Sequence, residues 1–196
     1  EKILSEIDYV YFHYIRNKLL THNKTVEYNG VDFPGARVSV FDWIVPGFER
    51  GKPDYENPEA DAILSYCTAG EGVVIVGGGY GITSVIAANK VGKEGKVITY
   101  EASEEMTSIA RKTIAHNNVQ HICDVRHTIV SEAHSTRGTV GSASVLPPDE
   151  LPECDFLELD CEGAENMILK EMSIKPEVIS VETHEGDGSL EETKSI

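Results

Sequence analysis

Four glycines stand close together at Gly77, Gly78, Gly79 and Gly81, with only Tyr80 between them. Glycine lets the backbone turn sharply and lets a ligand approach with no side chain in the way. Glu101 follows, 20 residues beyond Gly81. A carboxylate there can accept hydrogen bonds from the vicinal hydroxyls of a ribose. Two further groups are Asp160-Cys161-Glu162-Gly163-Ala164-Glu165 and Glu182-Thr183-His184-Glu185. Carboxylates and a histidine of this kind can remove a proton from a hydroxyl. Together these residue types permit an adenosyl ligand held by the glycines and Glu101, with Asp160 or His184 as the proton acceptor. Plainer alternatives stay open: Glu101 as a solvated acid at a strand end, and Glu162 and Glu165 as acids capping a helix.

The elements that must position these residues follow from the spacing of apolar residues. Val73-Val74-Ile75-Val76 reads as a buried parallel strand, and the run from Ile82 to about Val91 as a helix that Gly92 ends. Lys96 to Tyr100 is a second strand. Ser103 caps a helix that buries Ile109, Ala110, Thr113 and Ile114. A third strand lies within Ile122–Val130, and residues 131–150 form a long loop. Asp155 to Asp160 is a fourth strand, Glu162 to about Met172 the next helix, and Pro176 to Thr183 a fifth strand. Repeated strand and helix predict an α/β fold, a Rossmann-like, doubly wound, mostly parallel sheet with right-handed crossovers. In that winding the fourth strand neighbours the first, and Asp160 opens on the same crevice as the glycine turn.

Ahead of this unit, residues 1–56 are expected to form an N-terminal helix and hairpin extension, with residues 57–196 as the main domain. Apolar positions from Ile3 to Leu19 fit an amphipathic helix. Its aromatic group is read as a packing face; a substrate-recognition or dimer role is the alternative, so a homo-oligomer stays open. Asn29-Gly30 between alternating runs is a hairpin signal, and Val38 to Val45 resembles a further strand. Gly47 to Pro58 reads as a linker or lid. Asn57-Pro58-Glu59 then starts a helix, expected to run to about Ala69.

Composition narrows the classes of partner. The chain has 196 residues, 40% apolar, with 33 acidic against 17 basic residues for a net charge of −16. Such a balance argues against nucleic acid and against an anionic membrane surface. It suits an acidic surface, either of a salt-adapted organism or of an ordinary acidic cytosolic protein. No run has the length of a membrane span and no signal-peptide pattern stands at the start, so the cytoplasm is the expected location. The first residue is Glu1 rather than Met, as expected for a trimmed chain. Cys67, Cys123, Cys154 and Cys161 show no metal-finger spacing and are expected to be reduced thiols. No metal site is read from the spacing.

The identity of the ligand turns on the glycine spacing. A dinucleotide fingerprint counted from Gly77 would need a small residue where Ile82 stands, so that match fails. The remaining G-x-G-x-G resembles motif I of S-adenosylmethionine-dependent methyltransferases. The segment Phe156-Leu157-Glu158-Leu159-Asp160-Cys161-Glu162-Gly163-Ala164-Glu165, followed by Ile179-Ser180-Val181-Glu182-Thr183-His184, resembles the signature of FkbM-type methyltransferases. The resemblance covers about residues 57–185. It implies a class I methyltransferase fold, S-adenosyl-L-methionine as cofactor, and O-methylation of a hydroxyl on a small molecule or sugar. The expected cofactor contacts are Gly77, Gly78, Gly79, Tyr80, Gly81, Thr83, Glu101, Ala102, Ser131 and Asp160, with Asp160 and His184 as the catalytic pair.

Three departures from the family pattern bear on these expectations. Ile75 stands where an acid is usual, two residues before the first glycine. Glu158 stands where a Lys is common, which puts a charge in a central strand that needs a partner or solvent. Few residues follow His184, although a class I fold carries a sixth and a seventh strand; the expectation is a truncated chain or a sheet with an open edge. The acidic crevice suits a cationic sulfonium. An anionic pyrophosphate would want a Lys or Arg, and none lies near the glycine turn. An NAD-dependent oxidoreductase and a non-enzymatic protein that kept the fold remain the competing readings.

Overall fold

Runs of β-branched residues set the centre of the molecule. Val73, Val74, Ile75 and Val76 are all buried, and so are Val97, Phe156, Leu157 and Leu159 on the strands beside them. Side chains this well shielded contribute about 1.5–3 kcal/mol each relative to an exposed position. The computed structural model describes residues 20–39, 52–130, 141–161, 163–183 and 193.

In chain order the strands are β1 (Leu20–Tyr28), β2 (Val31–Ser39), β3 (Gly72–Val76), β4 (Lys96–Glu101), β5 (Cys123–Val130), β6 (Ser144–Leu146), β7 (Phe156–Leu159) and β8 (Val178–Val181). The α-helices are α1 (Asn57–Tyr66), α2 (Ile82–Val91), α3 (Glu104–His116) and α4 (Glu165–Glu171). Strands β3 to β8 form one sheet in the order β6-β5-β4-β3-β7-β8, every pair parallel. This is the doubly wound, Rossmann-like arrangement. The order reverses between β3 and its neighbours β4 and β7, which opens a crevice at the carboxyl ends of these strands.

Two apolar clusters flank the sheet. One joins α1, α2 and α3 to Val73, Ile75, Val97 and Phe156, and extends to Val26, Val31 and Phe33 of the hairpin. The other packs Val74, Val76, Tyr100, Leu157 and Leu159 against Ile168 of α4. Alternation along each strand divides these residues between the two faces.

Local signals explain most of the boundaries. Asn29 and Gly30 both take positive φ, as a tight hairpin turn demands. Gly92 ends α2 at φ 68° while its N–H returns to the Ala88 carbonyl. Ser103 caps α3, its side chain accepting from the Met106 N–H at 3.3 Å.

Several boundaries differ from the sequence expectation. Asn57 does not cap α1: the residue before the helix is Glu56, in the left-handed region, while Asn57 Oδ1 accepts from Asn29 Nδ2 at 3.2 Å. Helix α1 ends at Tyr66, before Ala69. The helix expected from Glu162 begins at Glu165, because the Glu165 carboxylate binds the N–H groups of Cys161 and Gly163 at 2.8 and 2.9 Å and keeps that stretch a loop. Within the loop expected over 131–150, Ser144–Leu146 adds a short parallel strand beside β5, and Pro148–Glu150 forms a 3₁₀ turn. The expected N-terminal helix, most of the strand expected at 38–45, and residues 131–140 lie outside the described residues.

Candidate functional site

The crevice is built from the glycine turn between β3 and α2. The N–H groups of Gly77 and Gly78 both reach the Tyr100 carbonyl, at 2.9 and 3.2 Å, and the Gly81 N–H closes the turn on the Gly78 carbonyl at 2.8 Å. Three of the four glycines are demanded by the protein's own packing. A Cβ on Gly77 would stand 1.6 Å from the Asp160 carbonyl oxygen, one on Gly78 would stand 2.2 Å from Thr99 Cγ2, and one on Gly81 would press on Ala110 at 3.0–3.2 Å. Gly79 is different. A Cβ there would meet only Glu56 Oε1, at 3.6 Å. Gly79 is thus where the turn leaves room beside its backbone.

Glu101, at the end of β4, holds this turn. Its Oε2 accepts the Gly79 N–H at 2.8 Å and its Oε1 the Ser103 N–H at 2.7 Å. The side chain is only 7% exposed, which removes the solvated strand-end alternative. Burial raises its pKa above the ordinary carboxylate value, while the N–H groups of Ser103, Gly79 and Ala102 pull the other way. A carboxylate offers about four lone-pair sites, so these three N–H groups leave room for a hydroxyl donor. Beside it, the Ala102 carbonyl lies 3.2 Å from His127 Nε2.

The opposite bank carries Asp160, Glu158 and Glu182. The Asp160 N–H binds the Val76 carbonyl and the Glu182 N–H binds the Leu159 carbonyl, both at 2.9 Å, so backbone ladders fix Asp160 beside Gly77 and Glu182 on the strand next to it. The Asp160 carboxyl is pushed well above the usual carboxylate range, first by burial, then by its hydrogen bond to Glu182 and by the charges of Glu182, Glu56 and Glu158. Glu158 sits in the centre of the sheet, paired with Ile75 across β3 and β7. It is 2% exposed, and its Oε2 has no hydrogen-bond partner among the described residues. Burial and the charge of Glu56 push it up to about 8, against a hydrogen bond from Thr83. Such a carboxyl is largely neutral at neutral pH, which reduces the cost of keeping it in a central strand.

The remaining expected residues separate by place. Thr83 is buried and engaged with Glu158. Tyr80 turns into an aromatic cluster, its ring 4.9 Å from Phe33 and 5.7 Å from Tyr55. Lys52 Nζ lies 5.6 Å from the centroid of the Tyr55 ring. Ser131, His184 and Glu162 lie outside the described residues. The Glu165 carboxylate binds the N–H groups of Cys161 and Gly163 in the loop before α4. Glu56, expected only as part of a linker or lid, also belongs to this bank, its carboxylate facing Gly79, Glu158 and Asp160.

All four cysteines are free thiols, and burial pushes Cys67 up to about 11. Among the described residues no group of three His, Cys, Asp or Glu has the geometry to hold a metal ion. No described helix is long and apolar enough to cross a membrane.

Residues 61–149 match the family model of protein-L-isoaspartate(D-aspartate) O-methyltransferase. No curated protein matches the chain. Among solved structures, the chain is similar to a SAM-dependent O-methyltransferase from Thermotoga maritima. That match has 21% identity and a TM-score of 0.44 over 59% of this chain and 38% of the other. An O-methyltransferase from Bacillus cereus in complex with SAH matches at 18% identity and a TM-score of 0.43, over 88% and 62% of the two chains. A precorrin-6y C5,15-methyltransferase from Geobacter metallireducens GS-15 matches at 15% identity and a TM-score of 0.49, over 74% and 67%. The chain therefore spans less than two thirds of the length of the Thermotoga and Bacillus proteins.

Proposed function

We propose that the chain is an S-adenosylmethionine-dependent methyltransferase that transfers a methyl group to a hydroxyl oxygen of a small molecule or sugar. The observation that carries this reading is the glycine turn: Gly79 is left open while Glu101 binds its N–H at 2.8 Å and Asp160 closes the other side. The family-model match at 61–149 spans both the turn and Glu101. The sequence Asp160-Cys161-Glu162-Gly163-Ala164-Glu165 supports an FkbM-type member within that class.

The residues fit the cofactor on chemical grounds. Gly79 offers a backbone that a ligand can approach, Glu101 keeps lone pairs for ribose hydroxyls, and the Asp160 bank presents carboxyls to a cation. S-Adenosylmethionine, when bound, supplies a methyl group on a positively charged sulfur. Asp160 serves as the base in its ionised form: burial raises the proton affinity of that carboxylate, and a cationic ligand beside it favours the ionised form over the protonated one. His184 is the alternative acceptor. Holding the acceptor oxygen in line with the methyl carbon supplies much of the remaining rate.

Thermal unfolding with S-adenosylmethionine, S-adenosylhomocysteine or NAD tests the reading. A ligand at about a hundred times its Kd stabilises by roughly 2.7 kcal/mol. The two adenosyl sulfur compounds are expected to raise the Tm. A shift with NAD alone overturns the reading in favour of an oxidoreductase, and no shift with any of them favours a non-catalytic protein.

A further inference from the structure

Glu158 has no role in the scheme above. It is an ionisable group in the middle of a sheet, flanked by Leu157 and Leu159, both fully buried. The Thr83 hydroxyl, in the first turn of α2 just past the glycine turn, engages its carboxyl. Its second oxygen, Oε2, is buried and finds no hydrogen-bond donor among the described residues. Leaving a buried acceptor unmade costs more than an average hydrogen bond gains, so such an atom calls for a donor.

The surroundings specify which donor. Glu56 and Glu59 face Glu158 from α1 and the residue before it, Glu182 faces it from the end of β8, and Asp160 lies further along its own strand. Cys67, at the end of α1, is close enough for the two groups to interact. Among the described residues, the charges that act most strongly on Glu158 are the carboxylates of Glu56, Glu59 and Glu182. The partner that relieves both the missing donor and the crowded negative charge is an N–H cation. A sulfonium carries charge but no hydrogen to donate, so it satisfies only half of the requirement. The register places the acid well for this purpose. Glu158 pairs with Ile75, two residues before Gly77, and reaches the helix start that follows Gly81.

We infer that Glu158 receives the primary ammonium group of the ligand bound at the glycine turn. This rests on the cofactor reading above, in which that ammonium belongs to the amino-acid end of the cofactor. Glu158 is then a binding residue that selects for the amino-acid end, separate from the ribose end at Glu101. Because the free protein keeps this carboxyl largely protonated at pH 7, capture of the cation ionises it and releases a proton to solvent.

The test is calorimetric titration with two probes, S-adenosylhomocysteine and 5′-methylthioadenosine, which share the adenosyl thioether and differ in the amino-acid end. Glu158→Gln is expected to weaken S-adenosylhomocysteine by about tenfold to a hundredfold, the loss of a charge-assisted hydrogen bond. The same variant is expected to leave 5′-methylthioadenosine unchanged. For the wild-type chain, titration at pH 7 in two buffers of different ionisation heat is expected to show release of a proton with the first probe and none with the second. That measurement needs no variant and holds even should Glu158→Gln fail to fold. If S-adenosylhomocysteine binds wild type and Glu158→Gln alike with no proton released, the inference falls and the cofactor reading stands. If neither probe binds wild type, the cofactor reading falls and takes the inference with it.

Discussion

Glu101 and Glu158 are both carboxylates at central strands of one sheet, 7% and 2% exposed. They stand on opposite banks of one crevice and are treated in opposite ways. Glu101 has a backbone N–H on each oxygen, one from the glycine turn and one from the start of α3. Glu158 has the Thr83 hydroxyl, other carboxylates around it and one oxygen with no partner among the described residues. A buried acid with a backbone N–H on each oxygen is part of the scaffold as well as of the site. A buried acid left incomplete is waiting for something. The contrast assigns the first bank to holding the turn in shape and the second to recognising charge.

Mutations should break the first bank at the level of folding and the second at the level of binding and pH response. The largest effect is expected from Gly77→Ala. Its φ of +97° is strained for any L side chain, and the new Cβ would collide with the Asp160 carbonyl. A loss on the order of 4 kcal/mol, or no folded protein, is the expected outcome of denaturant unfolding. Glu101→Ala comes next, because it strands the N–H groups of Gly79 and Ser103; about 3 kcal/mol is expected by the same measurement. Tyr80→Ala should cost about 2 kcal/mol by removing the ring that ties the turn to the hairpin, whereas Tyr80→Phe should keep wild-type stability.

The second bank is tested by pH. Glu158 titrates near 4.5 in an ordinary setting and at about 8 in the folded chain. Between those values the folded protein keeps a proton that the unfolded chain has released. The associated stability is therefore full below pH 4.5 and lost as pH rises through about 8. Urea unfolding of the ligand-free protein from pH 5 to 9 should show a shallower decline for Glu158→Gln than for wild type. Equal slopes would contradict the environment assigned to Glu158. The smallest effect on the free protein is expected from Gly79→Ala. Its φ of +48° costs roughly 1 kcal/mol for alanine, with no clash. Any Tm shift from S-adenosylhomocysteine should nonetheless be lost.

The first bank was largely legible in the sequence, because its parts are local. A β-branched run, a glycine turn and an acid at the end of the next strand are all short-range patterns, and parallel winding places them together. The second bank was legible only in part. Asp160 could be placed from the strand order. Glu56 could not, since it is one of 33 acids, and only folding brings it over Gly79, more than twenty residues away in the chain. Tyr80 is expected among the cofactor contacts, but no local pattern shows that its ring also meets Phe33 and Tyr55, partners from two distant segments. The late start of α4 depends on one side chain, Glu165, reaching back to two N–H groups, which no periodicity reveals. Strand β6 has three residues with no buried side chain, too short and too exposed for an apolar pattern to mark it.

An S-adenosyl ligand is proposed to bind between Gly79, Glu101 and Asp160. Amide resonances followed by two-dimensional NMR during titration with S-adenosylhomocysteine test it most directly. Saturable shifts concentrated at Gly79, Ala102 and Cys161, the residues at the rim of the crevice, are the expected result. Saturable shifts confined to the groove between α3 and β5, lined by Arg111, Lys112 and His127, with Gly79 unmoved, would contradict the account.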